Sequence, residues 1–62
     1  MHAIAFLFSL EQAVQIVESA EQGLVIARAE YATMEPQYLI RYKAADGRAV
    51  EQWWGQSALQ AA

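Results

Sequence analysis

The stretch Tyr38–Trp54, YLIRYKAADGRAVEQWW, decides the fold of this chain. At its start, apolar side chains occupy every second position, at Tyr38, Ile40 and Tyr42. This period of two predicts a half-buried strand. The Asp-Gly pair at 46–47 favours a tight turn, because glycine tolerates the positive φ that hairpin turns require. The stretch is therefore predicted to form a β-hairpin.

The return strand of this hairpin carries one tryptophan on each face. Trp53 shares its face with Ala49 and Glu51, whereas Trp54 shares its face with Val50 and Gln52. One indole can complete the core, but the other must lie on the surface, in a groove or against another chain. We expect Trp53 to point inward and Trp54 outward. The alternative is that both indoles are partly buried at one end of a small barrel.

The segments that flank the hairpin continue the β pattern. Leu24–Tyr31 is predicted as a strand with Val25, Ala27, Ala29 and Tyr31 on one face, and 32–37 as a loop, since Pro36 cannot donate to a ladder. After the hairpin, Gly55 ends the strand and 57–59 form one helical turn that places Leu59 on the core. Residues after Gln60 are expected to fray.

The segment 9–22 is ambiguous between a helix and a strand. Ser9 with Gln12 forms a capping-box pattern, several apolar residues fall on one helical face, and Gly23 would cap the helix. The other interpretation takes Ala13–Glu18 as a strand and 19–23 as a turn. Ahead of this segment, Ala3–Phe8 alternates as a short first strand or an extended arm.

The length and composition indicate one domain, 1–62, that is marginal by itself. A chain of 62 residues buries only about 60% of its unfolded surface. It has no Cys, so no disulfide or thiolate metal site supports it, and its one imidazole, His2, lies near the terminus. With 56% hydrophobic and 18% charged residues, the chain is more apolar than its surface requires, which favours a homo-oligomer.

The charge argues against general nucleic-acid binding, because the net charge is −3 and such binding needs Lys and Arg to neutralise phosphates. The basic residues are nevertheless confined to one part of the chain: Arg28, Arg41, Lys43 and Arg48. A locally basic sheet is one interpretation, and cross-strand pairing with Glu30, Glu35 and Glu51 is the other. No targeting signal or membrane-spanning stretch is evident, so we expect a cytoplasmic protein without a membrane partner.

Together these elements predict a mainly β fold, a small SH3-like barrel of about five antiparallel strands with one short C-terminal helical turn. The chain resembles small SH3-like proteins of phages and prophages in five places: 21–31, 38–42, the Asp-Gly at 46–47, Trp53-Trp54 and 57–59. That resemblance spans about residues 9–60. It implies that Ala13–Glu18 is a strand, and we adopt that interpretation.

The layout of Gly23 to Leu59 is also similar to the plasmid-borne type II dihydrofolate reductases, which are tetramers of SH3-like barrels around one pore. Their pore motif, Val-Gln-Ile-Tyr, falls on 51–54, where Gln52 matches and Trp54 is an aromatic in place of Tyr. The resemblance implies a reductase that uses NADPH. The chain departs from the family at Glu51 and Trp53, and it has no Lys or Arg before Arg28 to hold the cofactor phosphate.

For function, the sequence offers a binding surface in place of a catalytic site. It has no pairing of nucleophile and base, no glycine-rich phosphate loop and no metal-ligand cluster, so we predict no catalytic residue, metal or cofactor. Aromatic rings and Arg supply large contacts at low entropic cost. We expect a protein partner, with single-stranded nucleic acid as the alternative. The predicted binding residues are Val50, Gln52, Trp54, Arg41, Lys43 and Arg48.

Overall fold

The computed structural model describes residues 6–62, which form five strands and one short 3-10 turn. The strands are β1 (Ala13–Ile16), β2 (Gln22–Ala29), β3 (Gln37–Lys43), β4 (Ala49–Gly55) and β5 (Leu59–Ala61), with the 3-10 turn at Gln56–Ala58 between the last two. All neighbouring strands are antiparallel, in the order β4-β3-β2-β1-β5. The predicted fold class is confirmed: the protein is mainly β, with five antiparallel strands and one helical turn near its C-terminus.

The predicted hairpin is the longest regular pairing in the sheet. β3 and β4 pair in one unbroken register over seven residues of each strand. The Ala44 N–H donates to the Arg48 carbonyl at 2.8 Å, and the Gly47 N–H donates to the Ala44 carbonyl at 2.9 Å. Gly47 has a φ of 89°, so the turn uses the backbone conformation that glycine allows.

β1 settles the ambiguous segment as a strand, and the helical alternative over 9–22 is wrong. Val14 and Ile16 are fully buried on one side of the strand, in agreement with a period of two. The strand ends at Ile16, two residues before the predicted end, and the turn that follows has Ala20 at a φ of 64°. Gly23 is not the turn residue that we expected. It lies in β2, where a Cβ would come within 2.5 Å of the Arg41 carbonyl oxygen.

The core shows that the sheet is coiled. Its buried side chains come from four strands and from the segment before β1: Phe8, Val14, Ile16, Val25, Tyr38, Ile40 and Leu59. Ile40 on β3 and Leu59 on β5 share this cluster, although β2 and β1 separate their strands in the sheet. The sheet therefore curls around its inner face, as the strands of a small barrel do.

A β-bulge in β2 changes which residues share a face. The register with β3 shifts between Val25, which faces Ile40, and Ala27, which faces Leu39. Val25 therefore lies on the inner face and Ala27 on the outer face. The sequence predicted one common face for Val25, Ala27, Ala29 and Tyr31, and that prediction is wrong because the inserted residue reverses the alternation. The strand also ends at Ala29, before Tyr31.

Both ends of the described chain are tied to the sheet. Phe8 is buried, and its ring meets the Tyr38 ring edge to face at 5.2 Å between centroids. Residues 6–8 form no strand, so the described part of the predicted N-terminal element is an arm, and its first residues, 3–5, lie outside the described residues. At the other end, Val14 pairs with Ala61. Fraying after Gln60 was therefore the wrong expectation for Ala61.

Candidate functional site

The β3–β4 hairpin presents two different faces. Directly opposed residues of antiparallel strands place their side chains on the same face. Trp54 faces the buried Tyr38, so its side of the hairpin is the inner, core side. Trp53 faces Leu39 on the outer side. The inner face carries Tyr38, Ile40, Tyr42, Val50, Gln52 and Trp54, and the outer face carries Leu39, Arg41, Lys43, Ala49, Glu51 and Trp53.

The two indoles are placed the opposite way round from the prediction. Trp54 is half-buried and packs against the core cluster, whereas Trp53 is 47% exposed. The alternative, in which both indoles are partly buried, agrees with these exposures, since Trp53 is about half covered and Trp54 is covered further, although the two rings lie on opposite faces of β4. The reason is tertiary: Tyr38 anchors the inner face beneath the N-terminal arm, and Trp54 is the residue directly opposite it.

The predicted binding residues do not come together. Val50, Gln52 and Trp54 lie on the inner face, and Arg41 and Lys43 lie on the outer face. Arg48 lies at the hairpin end, where its Nε donates to the Asp46 carboxylate at 2.8 Å. Those six residues therefore form no single surface.

The inner face offers little to a ligand. The Trp54 Nε1 is buried and has no hydrogen-bond partner among residues 6–62, so it points into the protein and cannot serve a molecule in solution. Gln52 is exposed, and its Oε1 accepts a hydrogen bond from the Tyr42 hydroxyl at 3.3 Å. Val50 is half-buried opposite Tyr42. What remains accessible on this face is mainly one amide.

Most of the basic side chains have partners. The Arg41 guanidinium binds the Glu51 carboxylate at 2.7 Å across the hairpin, which is one of the cross-strand pairs that the sequence suggested. The Arg28 guanidinium lies 4.5 Å from the centroid of the Phe6 ring and donates to the Phe8 carbonyl at 3.2 Å. Within the described range, Lys43 is exposed and forms no salt bridge.

The carboxylate of Glu35 binds Ser57, whereas the sequence suggested an ion pair with a basic residue. Its oxygens accept hydrogen bonds from the Ser57 backbone N–H at 2.8 Å and from the Ser57 hydroxyl at 3.0 Å. Glu35 therefore fastens the β2–β3 loop to the 3-10 turn and pairs with no basic residue in the described part of the chain.

An apolar surface on the outer face was missed by the sequence reasoning. We name it the outer patch and define it as Leu24, Ala27, Leu39 and Trp53. Trp53 faces Leu39, which in turn faces Ala27, so three strands contribute to one row. Leu24 is 48% exposed and lies diagonally beside that row, facing Arg41. The alternation of β4 did indicate one exposed indole, but the sequence reasoning took Trp54 as the exposed residue in place of Trp53.

Neither metal-binding nor membrane-spanning features are found in the part of the chain that the structure describes. Residues 6–62 contain no group of three or more His, Cys, Asp or Glu side chains placed to hold a metal ion. His2 lies outside these residues. The same range contains no helix whose length and hydrophobicity would suit a bilayer crossing.

Comparison of the chain with protein-family models, with curated proteins and with solved structures gives no match. The site must therefore be interpreted from its own geometry.

Proposed function

We propose that this chain is a small, oligomeric SH3-like interaction module that binds another protein through the outer patch. The resemblance of its sequence to phage and prophage proteins suggests an accessory protein of a phage or mobile element that works in the cytoplasm. The proposal keeps the aromatic binding surface that the sequence suggested and moves its centre from Trp54 to Trp53.

The observation that carries the proposal is the exposure of Trp53 next to other apolar side chains. A half-exposed indole beside Leu39 and Leu24 is unusual on a free surface, and contiguous apolar patches on small proteins commonly mark interaction sites. Tryptophan and arginine are also enriched among the residues that dominate binding energy. Arg41 and its partner Glu51 lie beside the patch and give it a polar rim.

A protein partner fits this surface better than a nucleic acid does. Arg41 is on the same face as Trp53, but its charge is balanced by Glu51, and Arg48 is balanced by Asp46. Arg28 packs on Phe6 and the Phe8 carbonyl, away from the outer patch. Lys43 is the one basic side chain on the outer face that forms no salt bridge among residues 6–62. A single lysine gives little support to the positively charged groove that single-strand binders combine with a stacking aromatic. The net charge of −3 adds to this argument.

The test is a selection of peptides from a random display library on the immobilised chain, followed by titration of the selected peptides in solution. Trp53→Ser should weaken binding by about tenfold or more, because it removes the central apolar contact. Val17→Ser is the matched control. Val17 is similarly exposed but follows β1, far from β4 in the order of strands, so this change should leave the affinity unaltered.

Two results would contradict the proposal. One is a failure to select any peptide that binds the folded chain. The other is a set of peptides that bind Trp53→Ser as tightly as the unchanged protein. Binding of labelled single-stranded oligonucleotides at low salt, measured in parallel, would instead favour the nucleic-acid alternative.

A further inference from the structure

Among the strands formed by residues 6–62, β4 lies at a free edge of the sheet, and it has few of the features that usually protect an edge. It is the first strand in the order β4-β3-β2-β1-β5, so one side of its backbone pairs with β3 and the other pairs with no described strand. Native edge strands are commonly short, bulged, or marked by Lys or Pro. β4 has seven residues in unbroken register, and Glu51 is its one charged residue. The opposite edge, β5, has three residues.

The hydrogen bonds of the hairpin show which groups of β4 face outward. The Ala44 N–H bonds to Arg48, and the Gln56 N–H bonds to Pro36; both pairs continue the β3–β4 register. Hydrogen-bonded and non-bonded pairs alternate in an antiparallel ladder, so the even-numbered residues of β4 bond to β3. The odd-numbered residues therefore direct their N–H and C=O groups to the free edge: Ala49, Glu51, Trp53 and Gly55.

We propose that two copies of this chain pair through their β4 edges, antiparallel and centred on Gln52, into one continuous sheet. This inference rests on the oligomeric state proposed above and names the contact that produces it. A two-fold axis that relates the two β4 strands must place one residue opposite the same residue of the second copy. An axis between two residue positions would oppose side chains from different faces, which an antiparallel sheet does not allow. Gln52 is the middle residue of Ala49–Gly55, so this register overlaps the whole strand.

The register centred on Gln52 also satisfies the outward backbone groups. It places Glu51 opposite Trp53 of the second copy and Ala49 opposite Gly55 of the second copy, so all outward N–H and C=O groups of β4 find partners. A register centred on Trp53 leaves Ala49 without a partner. A register centred on Glu51 leaves Gly55 without one, and it sets two Glu51 carboxylates directly against each other, which is unfavourable.

The side chains on the inner face are complementary in the same register. Val50 lies opposite Trp54 of the second copy in a non-hydrogen-bonded pair, the type in which side chains approach most closely. Both residues are half-buried in the single chain, and aromatic residues pair well with β-branched ones across strands. The Gln52 side chains of the two chains lie opposite each other, and the amide N–H of one can donate to the amide oxygen of the other.

Self-pairing also extends the outer patch. Trp53 of each chain lies diagonally across the two-fold axis from Trp53 of the other copy, with Leu39 on the far side of each. The two outer patches thus meet at the centre of the joined sheet. A partner that binds one chain would find twice the apolar area on the pair, which gives the oligomer a use in binding.

The first test replaces an outward N–H. Glu51→Pro removes a donor at the free edge and leaves the bonds of β4 to β3 intact, since proline is tolerated where the N–H faces solvent. Loss of one hydrogen bond from each copy should raise the dimer Kd by about thirtyfold or more in sedimentation equilibrium. Glu51→Ala loses the same carboxylate and keeps the N–H. Its dimer Kd should stay within about threefold of the unchanged protein, because exposed ion pairs contribute little.

The second test fixes the register. The chain has no cysteine, so Gln52→Cys introduces a single thiol in each chain. In the proposed register the two introduced cysteines lie opposite each other, within the Cα separation that a disulfide needs. This variant should form a covalent dimer rapidly under mild oxidation. Val50→Cys, whose opposite residue would be Trp54, should not.

The outcomes separate this inference from the proposed function. If the unchanged protein is a monomer at millimolar concentration, self-pairing is wrong, and peptide binding at the outer patch is judged by its own titration. If Glu51→Pro dimerises with the same Kd as the unchanged protein while its circular dichroism shows a folded chain, the β4 edge is the wrong contact. If Val50→Cys cross-links as fast as Gln52→Cys, the register is wrong.

Discussion

At the scale of single residues, the two adjacent tryptophans have separate roles. Trp54 packs on the core opposite Tyr38, and Trp53 lies on the outer face opposite Leu39. The same residue type therefore packs against the core at one position and forms part of the exposed outer patch at the next. At Gly23 the neighbouring strand excludes any side chain, because a Cβ would come within 2.8 Å of the Ile40 and Tyr42 side chains.

We predict that Trp54→Ala lowers the free energy of unfolding by about 2 kcal/mol, since a half-buried ring loses part of the 3–5 kcal/mol typical of full burial. Trp53→Ala should cost less, about 1 kcal/mol, because Trp53 is 47% exposed and does not pack against the core cluster. Urea denaturation of both variants at one protein concentration measures the difference. An equal loss of stability in the two variants would contradict the assigned faces.

At the scale of elements, the N-terminal arm is held by one tyrosine of β3. The Tyr38 hydroxyl donates to Gln56 Oε1 and accepts from the Leu7 N–H at 3.1 Å, and its ring contacts both Phe6 and Phe8. One buried side chain thus joins the arm, the sheet and the 3-10 turn. These contacts lie far apart in the sequence, and no local pattern indicates them.

We expect Tyr38→Phe to lower stability by about 1.5 kcal/mol, because it keeps the ring and removes both hydrogen bonds of a partly buried network. Amide exchange at Leu7 should become faster in the same variant, although the Leu7 N–H keeps its second acceptor, Gln56 Oε1, at 3.2 Å. Tyr42→Phe is the matched control: its hydroxyl bond to Gln52 is exposed, and its loss should cost less than about 0.5 kcal/mol. Unchanged exchange at Leu7 would show that the hydroxyl does not hold the arm.

At the scale of the whole molecule, a small core is combined with a large apolar exterior. Among residues 6–62, seven buried hydrophobic side chains form the core cluster. Several large hydrophobic side chains in the same range are exposed, and they include Leu7, Leu10, Val17, Leu24, Tyr31, Met34 and Trp53. A chain of this size gains stability by association, since pairing buries surface that folding alone leaves in water.

The proposed self-pairing predicts that thermal stability depends on protein concentration. For a dimer of two 62-residue chains, a tenfold increase in concentration should raise Tm by about 5 °C. Scanning calorimetry over a range of concentrations measures this shift. Glu51→Pro, whose dimer is about thirtyfold weaker, should need about thirtyfold more protein to reach the same Tm. A constant Tm for the unchanged protein would contradict the dimer.

The amino-acid sequence by itself determined much of the secondary structure. Alternation at Tyr38, Ile40 and Tyr42 and the Asp-Gly turn placed the hairpin, and Leu59 was correctly expected in the core. These features are local: a strand period or a turn residue acts within a few positions. The strand at Ala13–Ile16 needed the resemblance to SH3-like proteins, because its local pattern also suits a helix.

The tertiary structure alone decided which face of the hairpin is covered and which edge is free. Alternation shows that Trp53 and Trp54 lie on opposite faces, but the choice of the inner face depends on distant residues such as Phe8 and Leu59 that pack there. The bulge in β2 likewise reverses one face of a strand without a local signal. Burial is a property of the whole chain, so the outer patch and the β4 edge are defined only when the sheet has curled around its core.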